Sequence, residues 1–322
     1  MNNKENRLPG GSGWKKLAVL ELVLFLVLCC AAGGVFYLRK KAALAQKNSA
    51  QKEWTVTQYA GSGDGLQSMF YSITDTAGHL VIIDGGWEQD EPAVRQLLQA
   101  YGNHVDAWII THAHPDHVGV LNAILADNEN GTDQKVKIDT IYTVEVNRER
   151  YEATAKDYDV VSSYEDFISH TEKLSNVVYL KDNDTLDLIG LSMKVFNSWN
   201  EKVDAMENNL LNNGSLMFRI SGEQNSMLFC ADVQSQMESD ILAEHQEELP
   251  SDYVQLGHHG NWGLTMNFYT QVNPKAVFFD APSSVIDNEQ EKYDGYQLRD
   301  DLAARGCTIF RWGSAPNAVV LR

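Results

Sequence analysis

Cysteine is scarce in this chain: Cys29, Cys30, Cys230 and Cys307 are the only four in 322 residues. No two are spaced Cys-x-x-Cys, so the sequence offers neither a disulfide scaffold nor a thiolate zinc site. Cys230 and Cys307 fall in apolar stretches and are expected to be buried free thiols. Basic residues are also few. Lys and Arg number 26 against 44 Asp and Glu, a net charge of −18. The imbalance is uneven along the chain: residues 1–52 carry nine Lys or Arg and two Glu, which leaves about −25 for residues 53–322. So acidic a domain lacks the basic footprint by which proteins hold nucleic acid, which makes nucleic acid a disfavoured partner without excluding it. Internal repeats and low-complexity blocks are absent.

One long apolar run stands out. Leu17 to Leu38 contains a single charge, Glu21. At about 1.5 Å per residue such a helix crosses a hydrocarbon core of roughly 30 Å. A cleaved signal peptide is the alternative, because Ala31-Ala32-Gly33-Gly34 offers small residues, but the run continues through Val35-Phe36-Tyr37-Leu38. Leu28 is bulky where a lipoprotein signal needs a small residue before its cysteine. Basic residues flank both ends of the run, so charge alone does not orient it. The expected organisation is a short tail at 1–16, a transmembrane signal anchor at 17–38, a polar linker at 39–53 and one domain at 54–322. That domain is expected outside the cytoplasm.

The densest chemistry lies in Thr111-His112-Ala113-His114-Pro115-Asp116-His117. The apolar, β-branched run Val105 to Ile110 precedes it and reads as a buried strand; Val118, Leu121, Ile124 and Leu125 follow at helical spacing. Three imidazoles and a carboxylate therefore sit between a strand end and a helix start. In an extended loop residues 112 and 114 point the same way, while 116 and 117 open the helix and face a second position. This suits two adjacent metal ions better than one, and nitrogen with carboxylate oxygen is a donor set that zinc accepts.

Strands are expected at 54–59, 68–75, 79–84, 105–110, 136–143, 177–180, 192–197, 215–221, 226–231, 253–256, 276–280, 307–311 and 317–321. Helices are expected near 91–101, 117–126, 148–173, 234–247, 264–271 and 291–305. Strands punctuated by helices predict an α/β sandwich.

The run His112-x-His114-x-Asp116-His117 resembles the signature of the metallo-β-lactamase superfamily. Three further motifs agree in order: Asp84-Gly85 after Leu80-Val81-Ile82-Ile83, Asp232 after Met227-Leu228-Phe229-Cys230-Ala231, and His258-His259-Gly260 after Tyr253-Val254-Gln255-Leu256-Gly257. The resemblance implies a four-layer αββα sandwich. It also implies zinc, one ion or two, with manganese as an alternative. By family position His112 and His114 hold the first ion, Asp116, His117 and His258 the second, and Asp232 bridges them. His258 is preferred as ligand because it comes first after its strand; His259 would then touch substrate or act as a general acid. Asp84 would orient a ligand histidine.

One departure bears on the first ion. Many members supply a third histidine between the signature and the bridging acid, and here only His170 lies in that interval, within an expected helix. At the expected place stands Asn212-Asn213-Gly214-Ser215-Leu216, with Asn213 or Ser215 as a weak ligand or a loop support. This pattern, with Gly61-Ser62-Gly63-Asp64, resembles the branch containing the β-lactamase-like domain of DNA-uptake channel proteins, and the layout is similar to that of exported phosphorylcholine esterases. The resemblance implies a membrane-anchored hydrolase acting by attack of a metal-bound hydroxide, with Asp116 and His259 at the reacting centre. Its expected substrate is a small-molecule or cell-envelope phosphodiester or related phosphoester. The alternatives are a DNA-uptake nuclease, an acyl hydrolase of lactams or lactones, and a metal-binding scaffold without turnover.

Overall fold

A computed structural model of the chain describes residues 52–63, 66–289 and 294–322. The expected tail, anchor and most of the linker, together with Asp64, lie outside the described residues. Among the described residues no helix is long and apolar enough to cross a membrane.

Fourteen strands follow in chain order: β1 (Trp54–Gln58), β2 (Phe70–Asp75), β3 (Leu80–Asp84), β4 (His104–Ile109), β5 (Lys137–Thr143), β6 (Val177–Tyr179), β7 (Thr185–Leu188), β8 (Leu191–Asn197), β9 (Met217–Ser221), β10 (Ser226–Phe229), β11 (Tyr253–Gln255), β12 (Ala276–Phe278), β13 (Thr308–Phe310) and β14 (Asn317–Leu321). They form two seven-stranded sheets, β14-β1-β2-β3-β4-β5-β6 and β13-β12-β11-β10-β9-β8-β7. The first is antiparallel from β14 to β3 and parallel from β3 to β6. The second is antiparallel from β7 to β10 and parallel from β10 to β13. The residue pattern follows this change. β1 alternates buried and half-buried residues, whereas every residue of β3 is buried, as strands covered on both faces require.

A core between the sheets joins Val56, Tyr71, Ile73, Ile83 and Ile109 to Val195, Phe218, Ile220, Phe229 and Phe278. Phe229 stacks on Phe218 and meets the Tyr71 ring edge-on at 5.3 Å between centroids. Outside the first sheet, Ile82, Trp108 and Ile141 pack with Val94, Leu121, Ile124 and Phe167 of the helices Glu91–Ala100, Pro115–Asn130 and Val161–Thr171. Outside the second, Leu228, Val254 and Val277 pack with Ile241, Phe268 and Leu302 of the helices Ser235–His245, Met266–Val272 and Gly295–Ala304. Helices thus cover both outer faces. Cys230 is buried and Cys307 half-buried, both as free thiols.

Two local expectations fail for a shared reason. β7 was not foreseen, because its hairpin with β8 turns through Ile189 and Gly190, both at positive φ, and Ile189 carries no turn signal. The expected helix 148–173 is broken into Arg148–Thr154, a 3-10 turn Asp157–Asp159 and Val161–Thr171. The break opens at Ala155 and Lys156, which are extended, and closes at Val160, a β-branched residue in the left-handed region (φ 46°). Each time an aliphatic residue takes a conformation that its type rarely adopts.

Beyond β12 the chain brings Asp280 into the seam between the sheets. Its Oδ1 accepts hydrogen bonds from Gln58 Nε2 at 2.6 Å and from the Tyr71 hydroxyl at 2.7 Å. Gln58 Nε2 also donates to the Phe279 carbonyl. Asp280 Oδ2 is buried with no hydrogen-bond partner. Burial pushes the Asp280 carboxyl up from 3.8 to about 6, against the opposing pull of Gln58 and His259. The folded protein therefore holds this proton more tightly than the unfolded chain does. The stability it contributes is present below about pH 4 and is lost as pH rises through about 6. Asp280→Asn should accordingly gain on the wild type by roughly 2–3 kcal/mol between pH 4 and pH 7. Denaturant unfolding of both proteins across that range checks this; a difference that does not vary with pH would show that Asp280 ionises as readily folded as unfolded.

Candidate metal centre

In each sheet the strand where antiparallel pairing gives way to parallel leads into an acid: Asp84 ends β3, and Asp232 lies three residues past Phe229 of β10. The next parallel strand leads into histidines, His112 to His117 after β4 and His258-His259 after β11. Ligands of open sheets gather beyond the carboxyl ends of parallel strands at such a change of direction. The backbone is bent sharply to converge there: Asp84, Ala231, His258 and His259 all have φ between 48° and 59°. Strain of this kind persists only where the surroundings enforce it. Helix Pro115–Asn130 approaches closely because Gly119 faces the loop before it; a Cβ there would lie 2.5 Å from Glu88 N.

Hydrogen bonds fix how each imidazole is presented. Asp84 Oδ2 accepts from the Thr111 hydroxyl and from His117 Nδ1, both at 2.8 Å, and Oδ1 accepts from Thr111 N–H. With its proton committed to Asp84, the Thr111 oxygen accepts from His112 Nδ1 at 3.2 Å. One buried carboxylate thereby leaves the Nε2 lone pairs of both His112 and His117 facing inward. His114 is turned the other way, with Nδ1 3.1 Å from His112 Nε2 and Nε2 3.3 Å from Asp159 Oδ1.

The inward atoms form two groups of donors, each within 4.8 Å: His112, His117 and Asp232, and Asp116, His117 and His259. His259 Nε2 lies 3.2 Å from Asp116 Oδ2, 3.4 Å from Asp232 Oδ2 and 3.3 Å from His117 Nε2. Asp232 Oδ1 is 3.2 Å from His117 Nε2 without hydrogen-bond geometry and has no other partner. Two pairs of imidazole nitrogens thus face each other at 3.1 and 3.3 Å, an arrangement that a shared proton or a cation relieves. A divalent cation bound by nitrogen and carboxylate oxygen fits this donor set, because it meets inward lone pairs and an orphaned carboxylate oxygen together.

The electrostatics agree. Burial alone would raise the Asp232 carboxyl, but His259 and His117 hold it well below the usual range. Burial likewise opposes a proton on His117, yet Asp232, Asp84 and Asp116 lift it well above the ordinary imidazole value, so without a cation a proton occupies Nε2, the place a metal ion would take by displacing it. Burial and the neighbouring His117 keep His112 neutral.

Of the residues singled out by sequence, His112, His114, Asp116, His117 and Asp232 are brought together and Asp84 orients His117. The order of the two late histidines is reversed. His258 Nδ1 is bonded to the Asn261 carbonyl at 2.6 Å, and its Nε2 comes no nearer Asp232 than 3.9 Å. His259 is the fully buried member of the donor group. It is the second ring of the pair that reaches the buried donors, because both residues are left-handed, which swings that ring inward. Asn213 and Ser215 support the loop: Asn213 Oδ1 accepts from Gln234 N–H, and Ser215 Oγ donates to the Asn212 carbonyl at 2.6 Å. Their neighbour Asn212, not foreseen as a site residue, has a buried Oδ1 without a partner and lines the cavity over the centre.

That cavity holds about 760 Å³. Trp87, Tyr158, Val160, Trp262 and Leu66 form much of its wall, and no Lys or Arg is among its described lining residues. Removing the central carboxylate should be costly. Asp84→Ala leaves Thr111 N–H, the Thr111 hydroxyl and His117 Nδ1 without an acceptor in a fully buried place, so a loss of about 3 kcal/mol or more is expected in denaturant unfolding. A loss below about 1 kcal/mol would mean that water replaces the carboxylate.

Residues 63–132 match the family model of the metallo-beta-lactamase superfamily. A comparison with curated proteins returns no match. Among solved structures, the metallo-beta-lactamase fold protein YhfI from Bacillus subtilis is similar with a TM-score of 0.51 at 11% identity, over 83% of this chain and 99% of that one. CmlA, a diiron beta-hydroxylase from Streptomyces venezuelae, gives a TM-score of 0.51 at 13% identity, over 85% of this chain and 55% of that one. At such identities the likeness is one of fold. The signature segment thus matches the metallo-β-lactamase superfamily model, and the two-sheet architecture with helices on both outer faces is the metallo-β-lactamase fold.

Proposed function

We propose that the chain is a metal-dependent hydrolase of phosphodiesters or closely related phosphoesters, held at the cell surface by segment 17–38. The observation that carries this reading is the convergence of two donor groups on one buried point beneath an open cavity. In this reading His112 Nε2 and His114 Nδ1 hold the first ion, Asp116, His117 and His259 the second, and Asp232 lies between them. Zinc or manganese ions there would lower the pKa of a water molecule and offset charge developing at phosphorus.

The remaining roles belong to side chains. Asp116 and Asp232 both meet His259 at Nε2, so these three groups would share the second ion. His258 lines the cavity, donates its Nδ1 proton to the Asn261 carbonyl, and presents Nε2 where a leaving oxygen can exchange a proton with it. It takes the part that the sequence assigned to His259.

The wall supports a diester over a monoester or polyphosphate. Dianionic phosphates are ordinarily met by Arg forks or Lys, and this cavity's described lining has neither. Trp87, Tyr158 and Trp262 favour a substrate with an apolar or planar organic group. Neutral esters and lactones share the first property, which keeps acyl hydrolysis as the second reading.

A parallel assay of the full-length protein with bis(p-nitrophenyl) phosphate, p-nitrophenyl phosphorylcholine, nitrocefin and a lactone separates these. Turnover of a phosphodiester is expected, and Asp116→Ala should reduce it by roughly 100-fold or more without loss of fold. Turnover of the lactone or nitrocefin alone would replace phosphoester by acyl chemistry, and inactivity on all four with metal bound would favour a scaffold. For the anchor, full-length protein should stay with membranes through alkaline carbonate extraction; release into the supernatant would remove it.

A further inference from the structure

The broken segment 148–171 reaches the centre at one residue. Asp159 is 2% exposed, and its Oδ1 lies 3.3 Å from His114 Nε2. Its other oxygen accepts from Lys156 N–H at 2.5 Å, and its carbonyl accepts from the Tyr151 hydroxyl at 3.1 Å, so the carboxylate is held before it meets the histidine. His114 Nδ1 points the opposite way, toward His112 Nε2. A neutral imidazole has one proton, and placing it on Nε2 for Asp159 leaves the Nδ1 lone pair facing inward. We propose that Asp159 is a positioning residue: it fixes the tautomer and ring plane of His114 and so supports the half-site that lacks a third histidine. The inference rests on the metal-centre reading of the preceding section.

The turn that carries Asp159 has a second face. Tyr158 and Val160, its neighbours on either side, line the cavity, and the Tyr158 hydroxyl donates to Asn209 Oδ1 at 2.9 Å. Val160 is the left-handed residue between this turn and the helix Val161–Thr171. Had the helix continued, three successive side chains would not reach both wall and histidine. The break therefore makes the segment part of the centre, with His114 and the cavity wall fixed by one turn.

Cobalt(II) binding to the full-length protein tests this with a readout independent of turnover, using chelator competition for affinity and the visible absorption of cobalt for coordination geometry. The wild type is expected to bind two ions. Asp159→Ala should weaken one of them by about 10- to 100-fold and change its absorption while leaving the other nearly unaltered. Asp159→Asn, which keeps the volume and an acceptor oxygen, should fall between. Wild-type affinities and spectrum in folded Asp159→Ala would overturn the proposal. So would equal weakening of both ions in Asp159→Asn, since that is the mark of a merely structural residue. A wild type that binds no cobalt would instead overturn the metal-centre reading, and this inference with it.

Discussion

Three carboxylates, Asp84, Asp116 and Asp232, are buried within one small volume where parallel strands end, with no Lys or Arg among the described residues lining the cavity above. Charges so placed are too costly to leave unpaired. The rest of the centre answers that constraint. Imidazoles surround the acids, Asp84 holds His117 directly and His112 through Thr111, and Asp116 and Asp232 converge on His259. The loops bend through left-handed residues because only there can four separate strand ends deliver side chains to one point. The seam between the sheets meets the same demand at Asp280, where Gln58 and Tyr71 serve one oxygen and burial acts on the other.

The two sheets solve the problem in parallel. Each begins as an antiparallel ribbon and turns parallel at a strand leading into an acid, after which the next strand leads into histidines. One half supplies Asp84 and the His112 to His117 run; the other supplies Asp232 and the His258-His259 pair. Nothing in the residue pattern repeats, yet the pairing pattern does, because what recurs is where strands end and not what fills them.

Much of this was legible in sequence for a physical reason. Buried parallel strands read as β-branched runs, and a polar residue at the end of such a run has few roles other than chemistry. His112, His114, Asp116 and His117 are recognised on that ground, and Asp84 and Asp232 through the family resemblance. What stayed hidden depends on backbone sign and on distance along the chain. Left-handed Ile189 conceals a hairpin, left-handed Val160 turns the chain between two helices, and left-handed His258 and His259 bring the second ring and not the first among the buried donors. Asp159 lies 45 residues from His114 in a segment with no strand, so no local pattern marks it. Asn212 differs from Asn213 only in which way its amide points.

The cavity wall without basic residues has a kinetic meaning. An anion approaching the domain climbs a repulsive field, since residues 53–322 carry about −25 and no Lys or Arg is among the described residues lining the cavity. Capture then depends on short-range contact with aromatic walls and not on long-range attraction. Added salt, which slows most encounters between charged partners, would hasten this one by screening the repulsion. Such a surface selects by exclusion: polyanions are turned away at a distance of several ångströms, and a ligand with a single charge and an apolar body loses least on the way in.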